Sequence, residues 1–252
     1  MSQLKKMIAR LGRPQNSGIG FGPVNREKPK ALLLAALAPD TGAARGLLDA
    51  GADVAIACAT DSQGVRSVIE GLSGGKATAG AWVSAIDAAG AEALRSAGCD
   101  FVISTIEGTA AAAVDPDRMG VVVAVEGGLD DSTLRAMAPL GLDGLFVERS
   151  PGNMNLAAQL ELVRLATLSG TPLLVTASAA ITVDELRVLR DSGVAAIVLP
   201  ENVTPADITA VTERLRAVPA RKPKREGQEI ALVPSVAAGI EDHEHEEDGD
   251  DE

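Results

Sequence analysis

The sequence predicts a single (β/α)8 barrel on three observations: a glycine turn that recurs, eight short apolar runs separated by helix-like segments, and a length of 252 residues. Barrels of this kind commonly use about 200 to 250 residues as one domain. The turn recurs as Leu48-Asp49-Ala50-Gly51-Ala52-Asp53, Arg95-Ser96-Ala97-Gly98-Cys99-Asp100, Ala138-Pro139-Leu140-Gly141-Leu142-Asp143 and Arg190-Asp191-Ser192-Gly193-Val194-Ala195. Glycine suits the left-handed position that closes a helix, because it carries no Cβ to clash, and the chain then turns into a strand.

The four glycines lie 47, 43 and 52 residues apart, too far for one βα unit and right for two. An extra strand should therefore fall between each pair. The apolar runs Leu32 to Leu37, Val54 to Ala59, Thr78 to Val83, Phe101 to Ile106, Val121 to Val125, Leu145 to Val147, Leu173 to Thr176 and Ala196 to Leu199 meet that expectation. Helix-like segments lie between them, among them Ala91 to Ser96, Ser132 to Ala138, Leu156 to Leu168 and Val183 to Asp191. Strict alternation with strands buried on both faces implies a parallel sheet, and eight units allow it to close as a TIM barrel. Trp82 and three phenylalanines are the only aromatics, so Ala, Val, Leu and Ile must build the core.

The expected boundaries are an N-terminal extension over 1–30, the barrel over 31–218, a linker and docking segment over 219–240, and a disordered acidic tail over 241–252. The tail holds nine acids, which carry nine of the twelve net negative charges and leave −3 for the rest. No broad basic surface remains to neutralise phosphates, which argues against nucleic-acid binding. In the extension Leu4, Met7, Ile8 and Leu11 share one helical face. So short a helix is marginal alone and needs a cover, either the chain's own barrel or, the favoured expectation, a homo-oligomer interface; a membrane surface is the least favoured. Asn16 to Pro23 is Gly-rich but precedes the first strand, so it is no dinucleotide fingerprint. Two cysteines are too few for a disulfide framework, and basic N-terminal residues without an apolar run do not make a signal peptide; a cytoplasmic location is expected.

In such a barrel, chemistry sits at the C-terminal ends of the strands. The only histidines, His243 and His245, lie in the tail, and the lysines at 30 and 76 precede strands one and three. Positioned imidazole and Schiff-base chemistry are therefore not expected, and Cys58 without a histidine reads as a structural thiol. What remains is carboxylate: Asp40, Asp61, Glu107, Glu126, Glu148 and Glu201 follow strands, with Arg149 the cation at that level. Asp40 and Asp61 read as helix caps. Period-two alternation puts Glu107 on the face of Thr105, so Glu107, Glu126 and Glu148 would come from consecutive strands as an all-oxygen site for Mg2+ or Mn2+.

The stretch Leu173-Leu174-Val175-Thr176-Ala177-Ser178-Ala179-Ala180-Ile181-Thr182-Val183-Asp184-Glu185-Leu186, continued by Asp191-Ser192-Gly193-Val194-Ala195-Ala196-Ile197-Val198, resembles strands seven and eight of the phosphate-binding barrels. That resemblance implies backbone N–H groups after both strands that hold a phosphate or FMN. Here the glycine pair of those barrels reads Ala179-Ala180, and strand eight ends Leu199-Pro200-Glu201-Asn202. Added methyl groups obstruct approach, Pro200 has no N–H, and Glu201 repels an anion, which argues against FMN. The loop Glu148 to Asn153 is left as the candidate for holding an anionic group, with an ordinary Pro-Gly turn as the alternative.

Two readings follow. One is a small-molecule barrel enzyme, a metal-assisted lyase or isomerase of a carboxylate or carbonyl substrate, with Glu126, Glu148 and Arg149 catalytic and Glu107, Glu126 and Glu148 on the metal. The other is a barrel without catalysis that serves as a binding or assembly module.

Overall fold

The computed structural model describes residues 1–11, 28–59, 62–75, 77–125, 128–149 and 154–219. Eight parallel strands close in chain order: β1 Leu33–Ala38, β2 Val54–Ala57, β3 Thr78–Trp82, β4 Phe101–Thr105, β5 Gly120–Val125, β6 Gly144–Val147, β7 Leu173–Thr176 and β8 Val194–Leu199, with β8 paired back to β1. The ring of helices is α2 Thr41–Asp49, α3 Ser62–Leu72, α4 Ala88–Ser96, α5 Asp131–Met137, α6 Leu156–Ser169, α7 Val183–Asp191 and α8 Pro205–Ala217. Between β4 and β5 only a 3-10 turn, Ala111–Ala113, takes the place of a helix.

The four repeated glycines adopt the left-handed backbone expected of them, with φ of 112° at Gly51, 98° at Gly98, 69° at Gly141 and 93° at Gly193. Side chains alternate along each strand, so the core has two layers. One packs strands against helices, as with Leu34, Val102, Val121, Leu173 and Ile197. The other fills the barrel and includes Leu33, Val54, Ile56, Phe101, Ile103, Val122, Phe146, Leu174 and Val198.

Leu4 belongs to that inner layer, 1 % exposed, and Met7, Ile8 and Leu11 pack against it. The helix α1 Gln3–Arg10 thus closes the N-terminal end of its own barrel. Of the two covers expected for the stripe, the structure shows the chain's own barrel. The physical reason is local: Gly120 leaves room for the Ser2 side chain, whose Cβ would lie 3.0 Å from a Cβ added there. Two acids of the glycine repeat also hold the helix. Asp100 accepts from the N–H groups of Gln3 and Leu4 at 2.7 and 2.9 Å, and Asp143 accepts from the Ser2 hydroxyl. Asp143 is buried, and its second oxygen has no hydrogen-bond partner among the described residues. The Lys5 ammonium at 3.5 Å compensates that charge through an ion pair. The third acid, Asp53, accepts from Lys30 Nζ and from the Leu34 N–H, both at 2.8 Å.

No helix among the described residues is long and apolar enough to cross a membrane. The acidic tail and the docking segment before it lie outside the described residues.

Candidate functional site

The strand ends that form the mouth can be followed from the inner layer upward. Val54 and Ile56 face inward, so alternation aims Cys58 at the mouth; by the same rule Phe101 and Ile103 lead to Thr105, Phe146 to Glu148 and Leu174 to Thr176. Trp82 ends β3, half-buried, and meets Phe146 edge to face with ring centroids 4.4 Å apart and planes at 86°. An aromatic pair therefore floors the mouth.

Above that floor, Glu148 is exposed and Arg149 half-buried. Thr176 clamps this segment: its hydroxyl accepts from the Arg149 N–H at 2.7 Å and lies 3.3 Å from the Arg149 carbonyl, to which it donates. Arg149 Nη1 also reaches Met154 Sδ at 3.8 Å. Sequence reasoning missed Thr176. Its signal was its polar character at the last position of an otherwise apolar strand.

Glu107 is placed elsewhere. The fourth strand stops at Thr105, and residues 106–108 form a turn in which the Gly108 N–H bonds Thr105 Oγ1 at 3.0 Å and Thr109 Oγ1 bonds the Thr105 carbonyl at 2.5 Å. The turn redirects the backbone directly after Thr105, so alternation does not extend to Glu107. Instead Glu107 lines a groove of about 980 Å³ between α3 and α4, beside Arg66, Glu70 and Asp87. The groove also takes in the loops that follow β3 and β4, through Val83 to Asp87 and Glu107 to Ala110. Glu126 lies outside the described residues. Among those described, no three His, Cys, Asp or Glu side chains converge as metal ligands.

On the opposite side of the mouth the Cys58 thiol points to Glu201 Oε2 at 3.7 Å. Burial first, and then the Glu201 charge and hydrogen bond, push its pKa up to about 11. It is a protonated thiol at neutral pH and a poor nucleophile. Asp40 caps α2, accepting from the Ala43 N–H at 2.8 Å, as its position after a strand predicted; Asp61 lies outside the described residues.

In the two loops where phosphate-binding barrels present N–H groups, several N–H groups bond side chains of the chain itself. The Ala180 N–H bonds Ser178 Oγ at 3.3 Å. Thr182 and Glu185 form a reciprocal capping box at the start of α7, and Thr204 and Asp207 form another at α8. Arg214 Nη1 bonds the Ala179 carbonyl at 2.6 Å, which fixes the first loop from outside.

No family model matches the chain, and no curated protein matches it in sequence. Solved structures do resemble it. KGPDC from Streptococcus mutans superposes with a TM-score of 0.62 at 16 % identity, over 76 % of this chain and 99 % of that one. The 3-keto-L-gulonate-6-phosphate decarboxylase from Vibrio cholerae gives 0.61 at 13 %, over 75 % and 99 %. Tryptophan synthase from M. tuberculosis gives 0.59 at 14 %, over 86 % and 98 %. The fold is that of a TIM barrel. At such identities the likeness concerns fold alone, since one barrel supports many chemistries.

Proposed function

We propose that this barrel is a small-molecule enzyme whose site is the C-terminal mouth, acting on a carboxylate or carbonyl substrate as a lyase or isomerase. The observation that carries the reading is the Thr176 clamp, which holds the Glu148-Arg149 segment rigidly at a strand end. The guanidinium would bind a substrate carboxylate in a planar, bidentate manner. Glu148 would take a proton from the adjacent carbon and return it to the product. In the metal-assisted form of this reading Glu126, which directly follows β5, joins Glu148 as a ligand for Mg2+ or Mn2+. The ion would supply Lewis-acid stabilisation of an enolate, a role for which no histidine or lysine is needed. Glu107, in the turn after β4 that lines the groove between α3 and α4, is left out of this set.

Thermal melting in the presence of Mg2+, Mn2+ and a simple dicarboxylate such as malonate tests the proposal. A ligand at 100 times its Kd stabilises by about 2.7 kcal/mol. The wild type should gain melting temperature with malonate, and Arg149→Met should not. A metal effect that survives Glu148→Gln would remove the metal from the reading.

The second reading is a barrel without catalysis, serving as a binding or assembly module. The internally bonded N–H groups of Ala180, Thr182 and Thr204 and the large apolar cluster inside the barrel favour it. Native mass spectrometry of freshly purified protein distinguishes the two: a retained metabolite of carboxylate character supports the enzyme, and a retained flavin would contradict the reading of both loops.

A further inference from the structure

We propose that α1 is a strut for the floor of the mouth: it supports an aromatic column, Phe101, Phe146 and Trp82, that runs through the barrel and fixes the orientation of Trp82. The proposal concerns packing and stands whether or not the mouth is catalytic. Its basis is shared membership of one apolar cluster, with close approaches at three points along it. At the lower end, Ser2 of the N-terminal segment and Phe101 of β4 converge on Gly120, where an added Cβ would lie 3.0 Å from Ser2 Cβ and 2.8 Å from Phe101 Cβ. The Phe101 ring then crosses to β3 and lies on Gly80, where an added Cβ would come within 2.6 Å of both Cε atoms. Two residues further along β3, Trp82 meets Phe146 from the far side of the barrel. Leu4, Phe101 and Phe146 are all fully buried in one apolar cluster, against which Met7, Ile8 and Trp82 also pack.

Interiors are close-packed and transmit displacement, because a gap beneath a side chain removes its dispersion partners outright. Gly80 sharpens this effect: without a side chain there, the Phe101 ring sits directly on the β3 backbone two residues before Trp82. Trp82, as the sole tryptophan, reports on the column without labelling.

Steady-state fluorescence and acrylamide quenching of the full-length protein provide the test. Leu4→Ala should shift Trp82 emission to longer wavelength and increase quenching, while Leu4→Met, which keeps the volume, should match the wild type. Val211→Ala removes comparable bulk from the helix-facing core layer and should leave the emission unchanged. Should Leu4→Ala fail to fold, Leu4→Val takes its place with a smaller effect in the same direction. Coupling is reciprocal, so Trp82→Ala should hasten amide exchange in α1. An unshifted emission in the folded Leu4 variants, an equal shift in Val211→Ala, or unchanged exchange in α1 would each overturn the proposal.

Discussion

Replacing Gly80 by alanine sets two effects of opposite sign against each other. At a position whose backbone is outside the left-handed region, as here, Gly→Ala restricts the unfolded chain and stabilises by about 0.4 to 1 kcal/mol. Against that, the new methyl would stand 2.6 Å from both Phe101 Cε atoms and closer still to Cζ, where carbon atoms prefer about 3.5 to 4.0 Å. The ring must retreat by roughly 1 Å, and Phe101 is fully buried within the barrel with no solvent-facing direction to take. Overpacking of this kind costs about 1 to 3 kcal/mol, so the steric effect wins. In a domain of this size each kcal/mol corresponds to about 2 to 4 °C, and the net loss, about 1.3 kcal/mol at the midpoints of the two ranges, should lower the melting temperature of Gly80→Ala by about 3 to 5 °C. The check is thermal and urea unfolding followed by far-UV circular dichroism, with Phe101→Leu and the double variant alongside. If the contact is the cause, the shortened side chain relieves it, and the double variant is more stable than additivity predicts by about 0.5 to 3 kcal/mol. A Gly80→Ala protein as stable as the wild type, or a strictly additive cycle, would refute the reasoning.

Other outcomes follow from the same structure. Because the pKa of Cys58 is pushed up to about 11, iodoacetamide should label it slowly at pH 7 and about tenfold faster per pH unit until near that value; rapid labelling at neutral pH would contradict the assigned environment. Glu201→Gln removes the charge and weakens the hydrogen bond that raise it, so labelling at pH 8 should accelerate. Thr204→Ala abolishes the capping box of α8 and should cost about 1 kcal/mol, whereas Thr204→Ser should retain most of the stability in urea titration. Lys30→Met leaves Asp53 without its ammonium partner, a charge-assisted bond worth about 1.5 to 3 kcal/mol; chemical denaturation showing no loss would mean that the Leu34 N–H alone suffices.

Local signals in the sequence are legible where the local physics is strong. Strands buried on both faces read as uninterrupted apolar runs, and the four turn glycines sit where a Cβ would be strained. Asp40 reads as a cap because a short acid after a strand has an orphan N–H within reach. Legibility fails at the ends of elements. Alternation points Glu107 at the mouth, but alternation holds only while the backbone stays extended, and the hydroxyls of Thr105 and Thr109 turn the chain two residues earlier. The aspartates of the glycine repeat are visible at Asp53, Asp100 and Asp143, yet their partners come from residues 2 to 5, 30 and 34, and sequence spacing holds no record of such pairings.

By itself, then, the sequence determined the alternating parallel architecture, the places where helices end, and the absence of histidine and lysine from the strand ends described here. These are properties of short windows, where propensity, periodicity and steric limits act between near neighbours. The tertiary structure alone decided that α1 plugs its own barrel, that Thr176 clamps Arg149, that Glu201 meets Cys58, and that Glu107 lines the groove between α3 and α4. Each of those depends on where closure of the sheet brings distant residues, and closure is a sum over all eight strands that no single segment encodes.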